Sequence, residues 1–439
     1  MHRDMAAGEV AQWTSATAMP YQARLAMGVL LPNYIVKTMV ALGTEQSKKL
    51  YSLLKPLLAL MVFATFMVFG QQTWMPPHQI DPNAARQHEA PLIAVSKTGV
   101  IAIVVREGSA STDSGKCVVY HSSDNGSTFL RGSTVKPQTW NNYDIDNPHA
   151  LAYDTTDALW LLWGWDLLPS PYYLELSKST DHGMTFQTEA QYQCAPVLRT
   201  SRMTIDLRNN IHVLRDSFDI SVGPKIIYTR FTDANIARKF EAALPMPPTL
   251  AEQGGDVDFA ADENLMIHYV TDIVHHTGSV FENRVIKYAV STNGGSTFSS
   301  LLSLDTITPP NQLFPRVVSR DSIVLGTYYF PDTIQSRKAA VSRDRGLTFV
   351  PFGYSNSRPW GLAGKCVSDS LYFYSVHGYY TGAVYSKYMD PQGPVLDSAS
   401  FNGASYADIA VSAGEGNSWC SIIQTSRALS SHQRMSRPW

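Results

Sequence analysis

Apolar and polar positions alternate in short bursts along most of this chain. PLIAVSKTGVIAIVV (91–105) holds two apolar runs split by a polar turn. The form returns in PHALAYDTTDALWLLWGW (148–165), RMTIDLRNNIHVLRD (202–216), DVDFAADENLMIHYVTD (256–272), PRVVSRDSIVLGTYYF (315–330) and KCVSDSLYFYSVH (365–377). Short runs rich in Val, Ile, Tyr, Phe and Trp, bounded by Asp, Asn, Gly and Ser, predict paired strands. A third β-rich run follows each pair: CVVYH, YYLEL, KIIYT, RVIKYAV, KAAV and GAVYS.

Four of these third runs lead into nearly the same eight letters: SSDNGSTF at 122–129, STDHGMTF at 179–186, STNGGSTF at 291–298 and SRDRGLTF at 342–349. The pattern is Ser122, Asp124, Gly126, Thr128 and Phe129 in the first copy, and Ser179, Asp181, Gly183, Thr185 and Phe186 in the second. The third has Ser291, Asn293, Gly295, Thr297 and Phe298; the fourth has Ser342, Asp344, Gly346, Thr348 and Phe349. The serines are 57, 112 and 51 residues apart, and the wide middle gap contains a degenerate copy, IIYTRFTDANIARKF (226–240). A further remnant is VYSKYMDPQG (384–393). Ser and Asp accept hydrogen bonds from turn amides, Gly supplies positive φ, and Phe opens the next strand, so these residues read as structural hairpin ties. Each period of about 55 residues then becomes a four-stranded antiparallel meander. Such a meander buries neither face alone, and radial stacking into an all-β propeller solves that.

The motif makes the region 88–425 resemble the sialidase (neuraminidase) superfamily, whose repeat is the BNR repeat or Asp-box. The resemblance implies a sialidase-like β-propeller over 89–425, and six blades are favoured because six resembles that family. A seventh inner pair at YADIAVSAGEGNSWCSIIQ (406–424) has no following box. It either completes a closing blade with the N-terminal segment or makes a seven-bladed ring with one blade short. The family implies a substrate face opposite the boxes, with three arginines, a Tyr–Glu nucleophile pair and an Asp acid/base. Its first arginine belongs to a Phe-Arg-Ile-Pro-type entry into the first blade. Here that entry reads EAPLIAVS (89–96) and has no Arg; Arg316 in Phe-Pro-Arg-Val is the nearest imitation. Arg199, Arg202 and Arg215 are further candidates for the axis, but no spacing singles them out.

Composition and charge narrow the function classes. A net charge of −2 gives no electrostatic case for nucleic acid. His275-His276 lacks partners at ligand spacing, so no metal and no cofactor are expected. Cys117, Cys194, Cys366 and Cys420 form no CxxC pair. Buried free thiols are the default reading, with a Cys117–Cys420 bridge across the ring ends as the alternative. Residues 57–69 (LLALMVFATFMVF) follow Lys48, Lys49 and Lys55 in a signal-peptide layout. A secreted, extracellular or periplasmic protein is expected, with an uncleaved membrane anchor as the alternative. Thus 1–70 is read as extension plus signal segment, 71–88 as linker and 426–439 as tail.

In a meander propeller the loops opposite the boxes carry any ligand site. They hold Arg106, Trp140, Asp144, Trp165, Asp166, Asp216, Asp272, Arg316, Arg358, Trp360 and Tyr379. Aromatic rings beside carboxylates and arginines suit a glycan or polysaccharide. Three functions stay open: glycan binding, glycoside hydrolysis by two facing carboxylates, and docking of a protein partner.

Overall fold

The computed structural model describes residues 9–14, 78–80, 87–109, 112–124, 126–135, 143–167, 172–194, 201–219, 223–244, 252–262, 264–277, 280–307, 315–329, 337–354, 364–368, 373–379, 382–388, 391–392, 395–402, 404–411 and 418–424. These form seven four-stranded antiparallel sheets, and the only helical turn among the described residues is Thr232–Ala234. Blades I to VI span 87–135, 143–194, 202–243, 252–307, 316–354 and 364–402, each a meander in chain order. Blade VII takes Ala404–Val411 and Ser418–Gln424 and adds Glu9–Thr14 and His78–Gln79 at its outer edge.

The first strands of blades I to VII touch in succession, and that of blade VII touches that of blade I. The ring is therefore a closed all-β propeller of seven sheets, not the favoured six. The hairpin without a box finds its outer partners in the N-terminal third of the sequence. Its inner strand also closes the ring by a polar bond. The buried Asp408 carboxylate accepts the Ile93 amide of blade I at 2.8 Å. Asp258 in blade IV does the same for the Val317 amide of blade V at 3.0 Å. The apolar run 57–69 lies outside the described residues, and no helix among the described residues is long and apolar enough to cross a membrane. Cys117 and Cys194 are buried in blades I and II.

The core lies between blades rather than within them. Along Leu159–Leu167 the side chains alternate: Leu159, Leu161, Trp163 and Trp165 pack toward blade I, while Trp160 and Leu162 pack toward blade III. Both faces of the strand are apolar, and each large side chain so buried contributes about 1.5–3 kcal/mol. Equivalent clusters join blades III to IV, IV to V and VII to I.

The four octapeptides form one repeated hydrogen-bond pattern. The Ser hydroxyl accepts the Gly amide at 2.7–2.8 Å and donates to the Asp or Asn side-chain oxygen at 2.6–2.9 Å. That oxygen accepts the Thr amide at 2.8–2.9 Å. In three copies the second Asp oxygen accepts the Thr hydroxyl. Asn293 replaces that bond with its own amide donating to Thr297. The glycines have φ between +81° and +93°, a region L side chains avoid.

Each of three glycines is also a seat for the preceding blade. Gly183 meets Val119 of blade I, Gly295 meets Tyr228 of blade III, and Gly346 meets Tyr288 of blade IV. The seated residue always stands three places before the Ser position of its own copy. Phe298 and Phe349 meet the same two tyrosines edge-on, at 5.6 and 4.6 Å between ring centres.

The turns between first and second strands repeat a simpler tie that sequence reading did not single out. Asp154, Asp206 and Asp262 each accept the amides two and four residues on. Their second oxygens hold Trp160, His212 and His268, and the two histidines reach Tyr228 and Tyr288 at 2.7 and 2.8 Å.

Two outcomes follow. Gly346→Ala places a methyl carbon 1.8 Å from the Tyr288 hydroxyl at positive φ, whereas at Gly326 the nearest atom is 3.4 Å away. Urea unfolding should show a loss of about 2–4 kcal/mol for G346A and under about 1 kcal/mol for G326A. The second concerns acid. The Thr128 hydroxyl and amide and the Ser122 hydroxyl hold the Asp124 carboxyl at about 2, against an ordinary 3.8. Ser342 and Thr348 hold Asp344 at about 2 likewise. A depressed carboxylate stabilises fully above its unfolded value, and that share is lost as pH falls from about 4 through about 2. Urea midpoints measured across this window should fall less steeply for a D124N/D344N variant than for the wild type.

Candidate functional site

Strand direction assigns two faces. Turns between first and second strands and the octapeptides lie on one; the opposite face carries the starts of first and third strands and the ends of second and fourth strands. At that loop face, three neighbouring first strands place charge around the axis. Arg202 opens blade III, Asp258 lies in blade IV, and Arg316 opens blade V. Arg202 Nε is 3.7 Å from Asp258 Oδ1, with side chains 23% and 15% exposed. Each arginine donates an Nη1 hydrogen bond to the carbonyl just before it, Ser201 at 3.0 Å and Pro315 at 2.7 Å. Those backbone bonds hold both guanidinium groups at the strand entrances. With Asp258 also fixed by the Val317 amide, the belt is ordered before any ligand arrives.

Blade II contributes an imidazole at the same level. The ladder slips on either side of Pro148, so the first strand bulges at half-buried His149. Bulges of this kind re-aim a side chain. His149 Nε2 and the buried Tyr172 Oη are 2.7 Å apart. The pair crosses directly over Gly164, where any Cβ would stand 1.8 Å from the hydroxyl and 2.9 Å from the imidazole. Trp165 points to the other side of the sheet and stacks on Tyr173 at 4.4 Å.

The sequence candidates separate accordingly. Arg316 belongs to the axial belt. Arg106 is half-buried at the end of the second strand of blade I, beside Glu107, which pairs with Arg131 at 3.0 Å. Trp165 is 1% exposed and Asp272 is fully buried, paired with Arg284, so these two side chains belong to the interior instead of the solvent-facing surface. Asp144 and Asp166 stand opposite one another in the ladder of blade II. Asp216 lies in the second strand of blade III opposite Ile226, and Tyr379 ends the second strand of blade VI. Trp140, Arg358 and Trp360 lie outside the described residues.

Sequence reading named Arg202 without favouring it and passed over Asp258 and His149. Phase within the repeat was the available signal. Arg202 and Asp258 stand four places before Asp206 and Asp262, which puts them at one height on their strands.

Other polar clusters have the look of catalytic sets but serve the fold. Asp206–His212–Tyr228 and Asp262–His268–Tyr288 resemble acid–base triads, yet both histidines are fully buried beneath the octapeptide face. Burial pushes both tyrosine hydroxyls well above their usual range. Glu175 is also raised by burial, against hydrogen bonds from Thr188 and Ser177. Among the described residues no group of three potential ligands could hold a metal ion.

No family model matches the chain, and no curated protein matches it in sequence. Solved structures do. One is a protein of unknown function from Dyadobacter fermentans, at 13% identity over 79% of this chain and 97% of that one, with a TM-score of 0.47. Another is the alpha-L-arabinofuranosidase of Fusarium graminearum, at 12% identity over 78% and 95%, TM-score 0.47. A sialidase from Streptococcus pneumoniae is similar at 13% identity over 75% and 64%, TM-score 0.41. The likeness is one of fold alone. A shared scaffold does not carry chemistry with it, so the residues of the loop face have to supply the functional argument.

Gly164→Ala tests the local construction. Its methyl carbon should force the Tyr172 ring from its seat, lower stability by about 2–4 kcal/mol and break the contact to His149. Imidazole NMR shifts of His149 should change in G164A as they do in Y172F.

Proposed function

We propose that this protein is a secreted, sialidase-like propeller of the Asp-box type that binds glycans or cell-surface polysaccharides at the face opposite the octapeptides. The observation that carries this reading is the Arg202–Asp258–Arg316 belt on three successive first strands. Guanidinium groups fixed in orientation meet sugar hydroxyls and anionic substituents with paired donors. The carboxylate between them accepts hydroxyl donors. The four octapeptides support an Asp-box assignment because all share one hydrogen-bond pattern, and the leader-like segment 57–69 supports export.

A hydrolytic second reading has its own support. Asp144 and Asp166 are direct ladder neighbours at the loop end of blade II, a placement suited to a carboxylate pair. In that reading one protonates the departing glycosidic oxygen and the other attacks the anomeric carbon or activates water.

Glycan-array screening followed by calorimetric titration separates the readings. Binding by the wild type should weaken about 10- to 100-fold in R202A, since an arginine–ligand pair removed from a fixed site costs about 1.5–3 kcal/mol. Retention of full affinity in both R202A and R316A would reject the belt as the site. Release of reducing sugar that disappears in D144N or D166N would favour hydrolysis.

A further inference from the structure

Three of the octapeptides carry Asp where the one in blade IV carries Asn293. The surroundings of Asn293 are nonetheless those of a carboxylate. Its Oδ1 accepts the Ser291 hydroxyl and the Thr297 amide, both at 2.9 Å. Its Nδ2 donates at 2.8 Å to the Thr297 hydroxyl, a group that in the other copies donates to the second Asp oxygen at 2.6–2.7 Å. The next residue is Gly294. In an Asn-Gly pair the backbone nitrogen reaches the side-chain carbonyl with no Cβ obstructing the five-membered ring. The fold holds glycine there: φ is +64°, and a Cβ would stand 2.5 Å from Arg230 Nη1. The Gly294 amide donates to no acceptor among the described residues, and Asn293 is exposed to water.

We propose that Asn293 is a self-modifying site, where deamidation completes the octapeptide of blade IV as an aspartate. Hydroxide takes the Gly294 amide proton, and the adjacent Arg230 guanidinium favours the anionic nitrogen left behind. That nitrogen bonds to Asn293 Cγ, and the carbonyl electron pair moves to Oδ1. The Ser291 hydroxyl and the Thr297 amide already donate to Oδ1, as an oxyanion hole does. The pair then returns, the Cγ–Nδ2 bond breaks, and Nδ2 leaves as ammonia with a proton from water. Water adds to the succinimide at Cγ, the ring bond from Cγ to nitrogen opens, and the original backbone is restored with a carboxylate on the side chain. An amide and a water give a carboxylate and an ammonium ion, with no oxidant or reductant. Opening at the backbone carbonyl instead would give isoaspartate and lengthen the chain by a carbon. The Gly294 carbonyl accepts the Tyr228 hydroxyl and the Arg230 guanidinium of blade III, and a longer chain would pull it from both. The fold therefore favours the α-linked aspartate, whose second oxygen takes the Thr297 hydroxyl as donor.

The test is peptide mapping by mass spectrometry on the full chain, fresh and after incubation at neutral and mildly alkaline pH. The peptide holding Asn293 should exchange its side-chain NH2 for OH. The molecule supplies its own comparison in Asn125-Gly126, where the Gly126 amide is committed to the Ser122 hydroxyl at 2.8 Å. Asn125 should convert about 10-fold or more slowly than Asn293 in the folded protein, and the two rates should converge in urea. An isoaspartyl methyltransferase assay reads the other product, which should be the minor one. N293D, made directly, should melt above the fresh wild type at neutral pH. That advantage should be lost as pH falls from about 4 through about 2, the range in which the equivalent Asp124 carboxylate is protonated. An amide at 293 that persists in the folded protein while the unfolded chain converts overturns the proposal. So do equal rates at 125 and 293 in the folded state, isoaspartate as the main product, or an N293D variant that melts below the fresh wild type.

Discussion

A blade that is apolar on both faces cannot exist by itself. Leu159–Leu167 sends leucine and tryptophan side chains into two different cores. Water must be excluded from both sides of that strand at once. Every other feature of the molecule answers this demand. The sheets are set radially so that each face has a neighbour, and the ring closes so that no face is left over. Closure draws the Asp408 carboxylate to the Ile93 amide, a bond between residues at opposite ends of the fold. The polar ties at the strand turns recur with the same geometry from blade to blade.

Much of this was legible in the sequence. The octapeptides gave the phase of the repeat, and paired apolar runs gave the strands. Their Ser, Asp and Gly positions make the hydrogen bonds their residue types suggest. Blade number was harder to read. Ser418–Gln424 finds its outer partner in Glu9–Thr14, and nothing local to either segment announces a pairing across most of the chain. The tie by Asp154, Asp206 and Asp262 was hidden for another reason: Asp in a turn is so common that its recurrence drew no notice.

The site was less legible than the fold. Sequence assigned residues to a face by strand direction, which is sound for position along a strand and silent about which way a side chain points. Trp165 and Asp272 lie in the strands expected of them, yet their side chains are buried in the interior. His149 was overlooked because a bulge, not the regular alternation, brings it out. Arg202 and Asp258 are ordinary strand-entrance residues until three blades are laid side by side. Their meaning lies in the third dimension of the repeat, across blades rather than along the chain.

The glycine seats give the ring a sense of direction. In each of the three described seats, the later blade supplies the hollow and the earlier blade the residue that fills it. The overlap runs one way, as slates do on a roof. Blade III breaks the series: Phe231 stands where the other copies have Ser, and it lies in the cluster shared with blade II. That seam is sealed by apolar packing in place of a glycine hollow. The octapeptide therefore decays without opening the ring where a bulky apolar residue takes over its joint, so gaps in such a repeat mark a change of fastening between neighbours and not the loss of a blade.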